Sequence, residues 1–468
     1  MSIQQQLTYE LRGRVEMIPE VVEELKGQAA ADDNGMGIHQ SQINMVKSVL
    51  DKMKEEQGSL IQDFVPTLPF DDFTEKRSEI EQFLTVTNSI MATFRYIFTQ
   101  RNESKFYKTM LDIADLVAAY CYRPFMQIAN SWRGLPRDYF REPPLIYLNA
   151  MLSPAAISRR HNLNQVGLKL YTDTENRLPI SVISLPFHDM VAIWTFCSLY
   201  HEVGHLLDND LGLRDELKTA LTKALTKGGQ DDPVSEQRQA VWESWLGEMI
   251  ADTFGVLIGG VGFAYALLNM MFRPKEEIST VGEDKHPNEY LRVYLLCALL
   301  RETGVEPLKK TADEIEQTWH EAYGDSAPLA SYLPECKTVA NVLMTTKLDA
   351  LKNSDTADSE PHALKEFGYK LEANHQKVVS LSRWLREEVD RPEPAAYPYQ
   401  LVPAAAQMAV RDVTENFEEK YKAIQQRTLD FIGNIEHDKF LAPDANTADR
   451  RAYLKKMVAD LKFAAIKI

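Results

Sequence analysis

Cysteine is scarce in this 468-residue chain: Cys121, Cys197, Cys297 and Cys336 lie far apart, with no Cys-x-x-Cys spacing. That argues against a disulfide framework and suits a reducing, cytoplasmic setting. Excess positive charge is missing as well, with 52 Lys and Arg against 68 Asp and Glu, a formal net charge of −16 and a pI near 5.2. No basic run or stripe stands out, so a nucleic-acid or anionic-membrane partner has no electrostatic footprint here. The opening MSIQQQLTYELRGRVEM has no apolar segment behind a basic start, and no secretion signal is expected. Long apolar runs are also rare. The strongest, residues 254–272, is uncharged but holds Gly255, Gly259, Gly260 and Gly262, which reads as a broken core helix rather than a membrane span. No internal repeat of fixed period is present.

What remains is an ordinary globular composition, 44% hydrophobic and 26% charged, long enough for two or three domains and a large core. Residues 1–130 read as a helical N-terminal domain, with helices over 4–26, 39–56, 73–100 and 104–128 separated by polar or proline-bearing breaks. Residues 131–304 change texture. Leu145-Ile146-Tyr147-Leu148 and the β-branched stretch 178–187 (LPISVISLPF) read as short strands of a small sheet. Helices are expected again over 306–322, 336–351, 362–389, 407–435 and 448–468, with loops at 353–361 and 390–403, which makes 305–468 a helical C-terminal region. The expected class is α+β, predominantly α-helical.

The chemistry concentrates at His201-Glu202-Val203-Gly204-His205, inside the apolar run 190–207. Residues four apart share a helix face, so His201 and His205 can offer two imidazole nitrogens to one ion while Glu202 stands beside the open position as a general base. Stepping back from His205 by threes and fours gives His201, Cys197, Trp194 and Met190, an inward stripe that continues the helix. Asp189 is its expected N-cap, with His188 just before it.

Downstream, after a loop at 228–233, a helix beginning near Pro233 carries VWESWLGEMIAD, which places Glu248 and Asp252 four apart on one apolar face. Glu248 is the candidate third ligand, completing a two-histidine, one-glutamate set that leaves room for water. Asp252 is the candidate acceptor for the free imidazole N–H of His201. Glu243 competes for the ligand role, but five residues put it about 140° around the helix from Glu248.

His201-Glu-x-x-His205 followed by Glu248-x-x-Ala251-Asp252 resembles the gluzincin metallopeptidases, the thermolysin-like superfamily. Lys285-His286-Pro287 with Arg292 is similar to the His-Pro and arginine element of HtpX-like and CAAX-protease-like members. The resemblance covers about residues 180–300. It implies a zincin-like catalytic core, Zn2+, hydrolysis of peptide bonds in a peptide or protein substrate, and Glu202 as base. His286 is the first candidate for stabilising the developing oxyanion, with Tyr290 and Arg292 behind it; Arg292 equally fits an ion-pair role. Two other readings stay open. Glu202/His205 and Glu372/His375 are both Glu-x-x-His, the spacing of a helical di-iron carboxylate centre. The third is a metallopeptidase fold kept as an inactive scaffold.

Overall fold

Five helices open the chain: α1 (Ile3–Glu16), α2 (Ile18–Ala31), α3 (Gln40–Gln62), α4 (Phe70–Glu103) and α5 (Lys105–Trp132). The structure, a computed structural model, describes residues 1–31, 40–103, 105–135, 142–151, 153–158, 178, 180–227, 235–278, 286–324, 327–356 and 358–435. The single helix expected over 4–26 is two. α1 ends at Met17 because Pro19 has no N–H to continue the ladder and sits instead in the first turn of α2.

Both strands expected from the sequence are present, as β1 (Leu145–Asn149) and β3 (Val182–Pro186), and a third, β2 (Ala155–Ile157), joins them. The order is β1-β3-β2, with β1 parallel to β3 and β2 antiparallel to it. Every residue of the central β3 is buried, which is why its sequence is apolar apart from Ser184, whose hydroxyl donates to the Ala155 carbonyl. β1 is fixed to the helices by a buried ion pair. Arg101 Nη2 meets Asp115 Oδ2 at 2.6 Å and donates to the Ile146 carbonyl at 2.9 Å, while Asp115 Oδ1 accepts the Ile146 N–H at 2.7 Å.

The remaining helices are α6 (Ser198–Leu211), α7 (Arg214–Lys227), α8 (Glu236–Ser244), α9 (Leu246–Met271), α10 (Lys275–Ile278), α11 (Glu289–Glu302), α12 (Glu306–Tyr323) and α13 (Ala327–Ala330). They are followed by α14 (Leu333–Thr345), α15 (Leu371–Leu385), α16 (Leu401–Arg411) and α17 (Phe417–Ile432). Several expected helices are shorter or divided. The one over 407–435 is α16 and α17, parted where Asn416 takes a left-handed φ of 52°. The one over 336–351 ends at Thr345, because the backbone then extends and Leu348 pairs with His362. The one over 362–389 begins as a 3₁₀ turn at 364–368 and becomes α15 only at Leu371. The expected helix 448–468, the loop 228–233, Lys285, His39, His161 and His437 lie outside the described residues.

One apolar cluster runs from Met110 in α5 through the motif helices to Ile435, so positions 130 and 304 both fall within its span. A second cluster joins α1–α4 to the outer side of the sheet through Leu145, Tyr147, Ile157 and Val182. α9 is the buried axis of the larger cluster, packed against α6, α11, α15 and α16. By length and composition it could cross a bilayer, but here its apolar stretch is mostly buried by protein. Its glycines do what the sequence suggests. Gly260 breaks the helix at φ 52°, ψ −125°, and Gly262 lets Ala404 of α16 approach so closely that an added Cβ would meet its Cα at 2.4 Å.

Candidate metal centre

α6 and α9 supply the site, and the way each begins differs from the sequence expectation. The stripe Met190, Trp194, Cys197 is not helical continuation of α6. Residues 187–191 and 193–197 form two 3₁₀ turns broken at Ala192, whose φ of −148° and ψ of 132° are extended. Thr195 Oγ1 donates to the carbonyls of Asp189 and Ala192, both at 2.6 Å, so the backbone acceptors there are taken by a side chain. Asp189 therefore lies inside the first turn instead of capping a helix, and α6 starts at Ser198. Its far end is closed by Gly212 at φ 72°, whose N–H returns to the Asp208 carbonyl.

The helix expected to run from near Pro233 through Asp252 is likewise two. It breaks at the buried Trp245, with Ser235 capping α8. The break removes the fixed rotation of about 140° between Glu243 and Glu248, yet the two side chains still face different neighbours. Glu243 accepts from Thr222 at 2.6 Å and pairs with Lys218 at 3.1 Å, on the side of α7. Glu248 sits in the first turn of α9 and faces α6.

Gly204, between the two histidines, sets how closely the helices meet. A Cβ there would stand 2.7 Å from the Ala251 carbonyl oxygen and 2.8 Å from its Cα. With no side chain at 204 and a methyl group at 251, the backbones close up and the short Glu248 side chain reaches both imidazoles. Glu248 Oε2 lies 3.1 Å from His201 Nε2, and Oε1 lies 3.3 Å from His205 Nε2. One atom from each of His201, His205 and Glu248 lies within 4.8 Å of the other two, the one group of three or more such side chains among the described residues fit to hold a metal ion. Ligands at about 2.0–2.1 Å around a tetrahedral ion stand about 3.3–3.4 Å apart, and each Glu248 oxygen lies near that distance from one imidazole nitrogen.

Behind the group the polar contacts are charge-assisted. His201 Nδ1 meets Asp252 Oδ1 at 2.8 Å, as the four-residue spacing from Glu248 led one to expect. Arg292 grips the same aspartate with Nε to Oδ2 at 2.7 Å and Nη2 to Oδ1 at 2.8 Å. Its Nη2 lies 3.3 Å from His201 Nδ1 and 3.8 Å from Glu248 Oε2. Burial pulls the His201 pKa down, but hydrogen bonding to Asp252 and Glu248 outweighs it and raises it to about 9. Burial would raise Asp252, yet Arg292 and His201 hold it at about 2. Glu248 is kept well below the usual carboxylate range by the two histidines, against its burial. The group thus holds an ionised Glu248 carboxylate against His201, whose proton a bound metal ion would displace; Glu202, on the same helix as His201, is 7% exposed and within electrostatic reach of Arg292.

The other sequence candidates divide. His286 joins the site from the start of α11, its Nε2 3.5 Å from Glu248 Oε2 and its side chain 55% exposed, at the mouth of the centre. Arg292 takes the ion-pair role. Tyr290 does not face the site: its ring is buried and its hydroxyl donates to the Gly324 carbonyl at 3.0 Å. The Glu372/His375 pair stays apart too. Glu372 is exposed, and half-buried His375 lines a small cavity with Gly259 and Gly260, eleven and twelve residues beyond Glu248 in α9, about 17 Å along a helix axis. His188 is a surface side chain near Asp189. All four cysteines are free and buried, Cys197 included.

Gly204 and the bidentate grip of Arg292 were the features sequence reasoning missed or left open. A glycine inside a buried helical motif was the available signal for the first. No protein-family model matches the chain, and neither a curated protein nor a solved structure matches it.

Proposed function

We propose that the chain is a zinc-dependent metallopeptidase of gluzincin type, with a zincin-like core built from the small sheet, α6 and α9. The observation that carries this is the convergence of His201, His205 and Glu248, one ligand atom of each within 4.8 Å of the other two, on a pair of helices of which α6 also carries Glu202. A zinc ion held by these three side chains would keep one coordination position open and supply Lewis acidity to a peptide carbonyl and to water. Glu202 then acts as the base that takes a proton from attacking water and passes it to the leaving amine. His286, exposed at the mouth, donates an N–H to the oxyanion as it forms. Asp252, gripped by Arg292, occupies His201 Nδ1 and so would leave Nε2, which faces Glu248, to bind the metal. The edge strand β2, which packs on α6, offers main-chain groups to an extended peptide.

The test is metal content of protein purified without added metal, wild type beside Glu248→Ala, followed by a peptide-substrate screen with Glu202→Gln. About one zinc per wild-type chain, much less in Glu248→Ala, and hydrolysis lost in a zinc-loaded Glu202→Gln are expected. Iron in place of zinc would overturn the zinc assignment. Zinc binding with no hydrolysis of any peptide would leave a scaffold.

A further inference from the structure

The two ligand histidines differ in what stands behind them. His201 has Asp252 on Nδ1, with Arg292 clamping that aspartate. His205 turns Nε2 to Glu248 Oε1 at 3.3 Å, and its second ring nitrogen needs an acceptor of its own if Nε2 is to be a lone-pair donor.

Asp208 follows His205 by three residues, on the same face of α6. It is 2% exposed. Its Oδ2 accepts Arg214 Nε at 3.0 Å and Nη2 at 2.6 Å. Its Oδ1 is buried and has no hydrogen-bond partner among the described residues. A carboxylate oxygen in that condition is costly, and an ordinary helix-end ion pair with Arg214 accounts for Oδ2 only. His205 lies within electrostatic reach of Asp208. Arg214 in turn lies over the backbone of α9 at Gly247, where an added Cβ would stand 2.7 Å from its Nη2. The Asp208–Arg214 pair therefore straps the end of α6 to the residue preceding Glu248.

We propose that Asp208, held by Arg214, is the orienting carboxylate of His205: its Oδ1, unpaired while His205 Nε2 rests against Glu248, would accept the Nδ1–H once a bound metal ion shifts the imidazole. This rests on the metal-site reading above. It makes the centre two-sided, with one aspartate–arginine pair for each histidine: Asp252 with Arg292, and Asp208 with Arg214. Asp208 is a positioning residue, acting through His205.

The experiment measures zinc affinity by chelator competition, and the imidazole ¹⁵N and N–H resonances of zinc-loaded protein, for wild type, Asp208→Asn and Arg214→Lys, with metal-free melting temperatures alongside. Asp208→Asn is expected to weaken zinc binding by about tenfold or more and to move the His205 Nδ1–H resonance while leaving that of His201 in place. Arg214→Lys, which keeps the charge but not the fork, moves both readouts in the same direction by less, and serves if Asp208→Asn does not fold. Zinc affinity and His205 resonance unchanged in the folded variants, even with a lowered melting temperature, would overturn the assignment and leave a structural ion pair. A wild type that takes up no zinc overturns the metal reading and this assignment together.

Discussion

Gly204→Ala is the sharpest perturbation of the site, because it touches neither a ligand nor the base. The added Cβ would lie 2.7, 2.8 and 3.1 Å from the oxygen, Cα and carbonyl carbon of Ala251. These are backbone atoms of a buried helix and cannot swing aside. Carbon atoms in packed interiors sit about 3.5–4.0 Å apart, so α6 and α9 must part by about 0.7 Å or more. His201 and His205 travel with one helix and Glu248 with the other, and their 3.1 and 3.3 Å separations would open to about 4 Å. Metal sites tolerate about 0.2 Å in their ligand distances, so zinc affinity should fall by at least about tenfold. Overpacking should also cost about 1–3 kcal/mol of stability. The assay is zinc competition against a chromophoric chelator, on protein shown to be folded by circular dichroism. Gly58→Ala in α3 is the control, since nothing lies within 4 Å of its Cβ. It should leave zinc binding alone and raise stability by about 0.5–1 kcal/mol. A folded Gly204→Ala with wild-type zinc affinity would refute the claim that helix proximity at this glycine builds the centre.

Other outcomes follow from single contacts. Arg292→Gln leaves Asp252 buried without its main cationic partner and should destabilise the metal-free protein by about 3–5 kcal/mol in urea unfolding; a loss below 1 kcal/mol would mean the grip is not structural. Gly260→Ala forces a side chain onto φ 52°, ψ −125° and should cost about 1–3 kcal/mol although the nearest side-chain atom is 3.6 Å away, so an unchanged denaturation midpoint would contradict a strained kink. Glu366 is the clearest pH probe away from the centre. Its burial would raise its pKa, but Lys347, His362 and the Ala363 N–H hold it at about 2, against an ordinary value of 4.5. A carboxylate whose folded pKa is depressed adds stability above its unfolded pKa and loses it as pH falls through the folded one. Because its side chain is 34% exposed, the screened contribution is only about 1 kcal/mol. Melting curves should therefore show Glu366→Gln less stable at pH 7 and converging with wild type between pH 4.5 and 2; a gap that does not narrow would assign the loss to the Ala363 cap alone.

The sequence by itself determined the parts of this protein that depend on local spacing. His201 and His205 share a face because four residues nearly complete a helical turn, and Glu248 and Asp252 share one for the same reason; those pairs are where the structure has them. The β-branched, proline-bounded stretches became β1 and β3, and α7 runs over the polar, helix-forming segment Arg214–Lys227. Where local signals conflicted, periodicity misled. Met190, Trp194 and Cys197 kept helical spacing, yet Thr195 captured the backbone carbonyls and made 3₁₀ turns; Trp242 and Trp245 shared an apolar context across a break. Only the tertiary structure decided which distant residues meet. Forty-three residues separate His205 from Glu248, and nothing local states that Gly204 and Ala251 bring their helices together. Nor does spacing reveal that Arg292 grips Asp252 while Tyr290, two residues earlier, turns away to Gly324. Such choices follow from the packing of helix faces and from the need to neutralise buried charge, and both are properties of the assembled core.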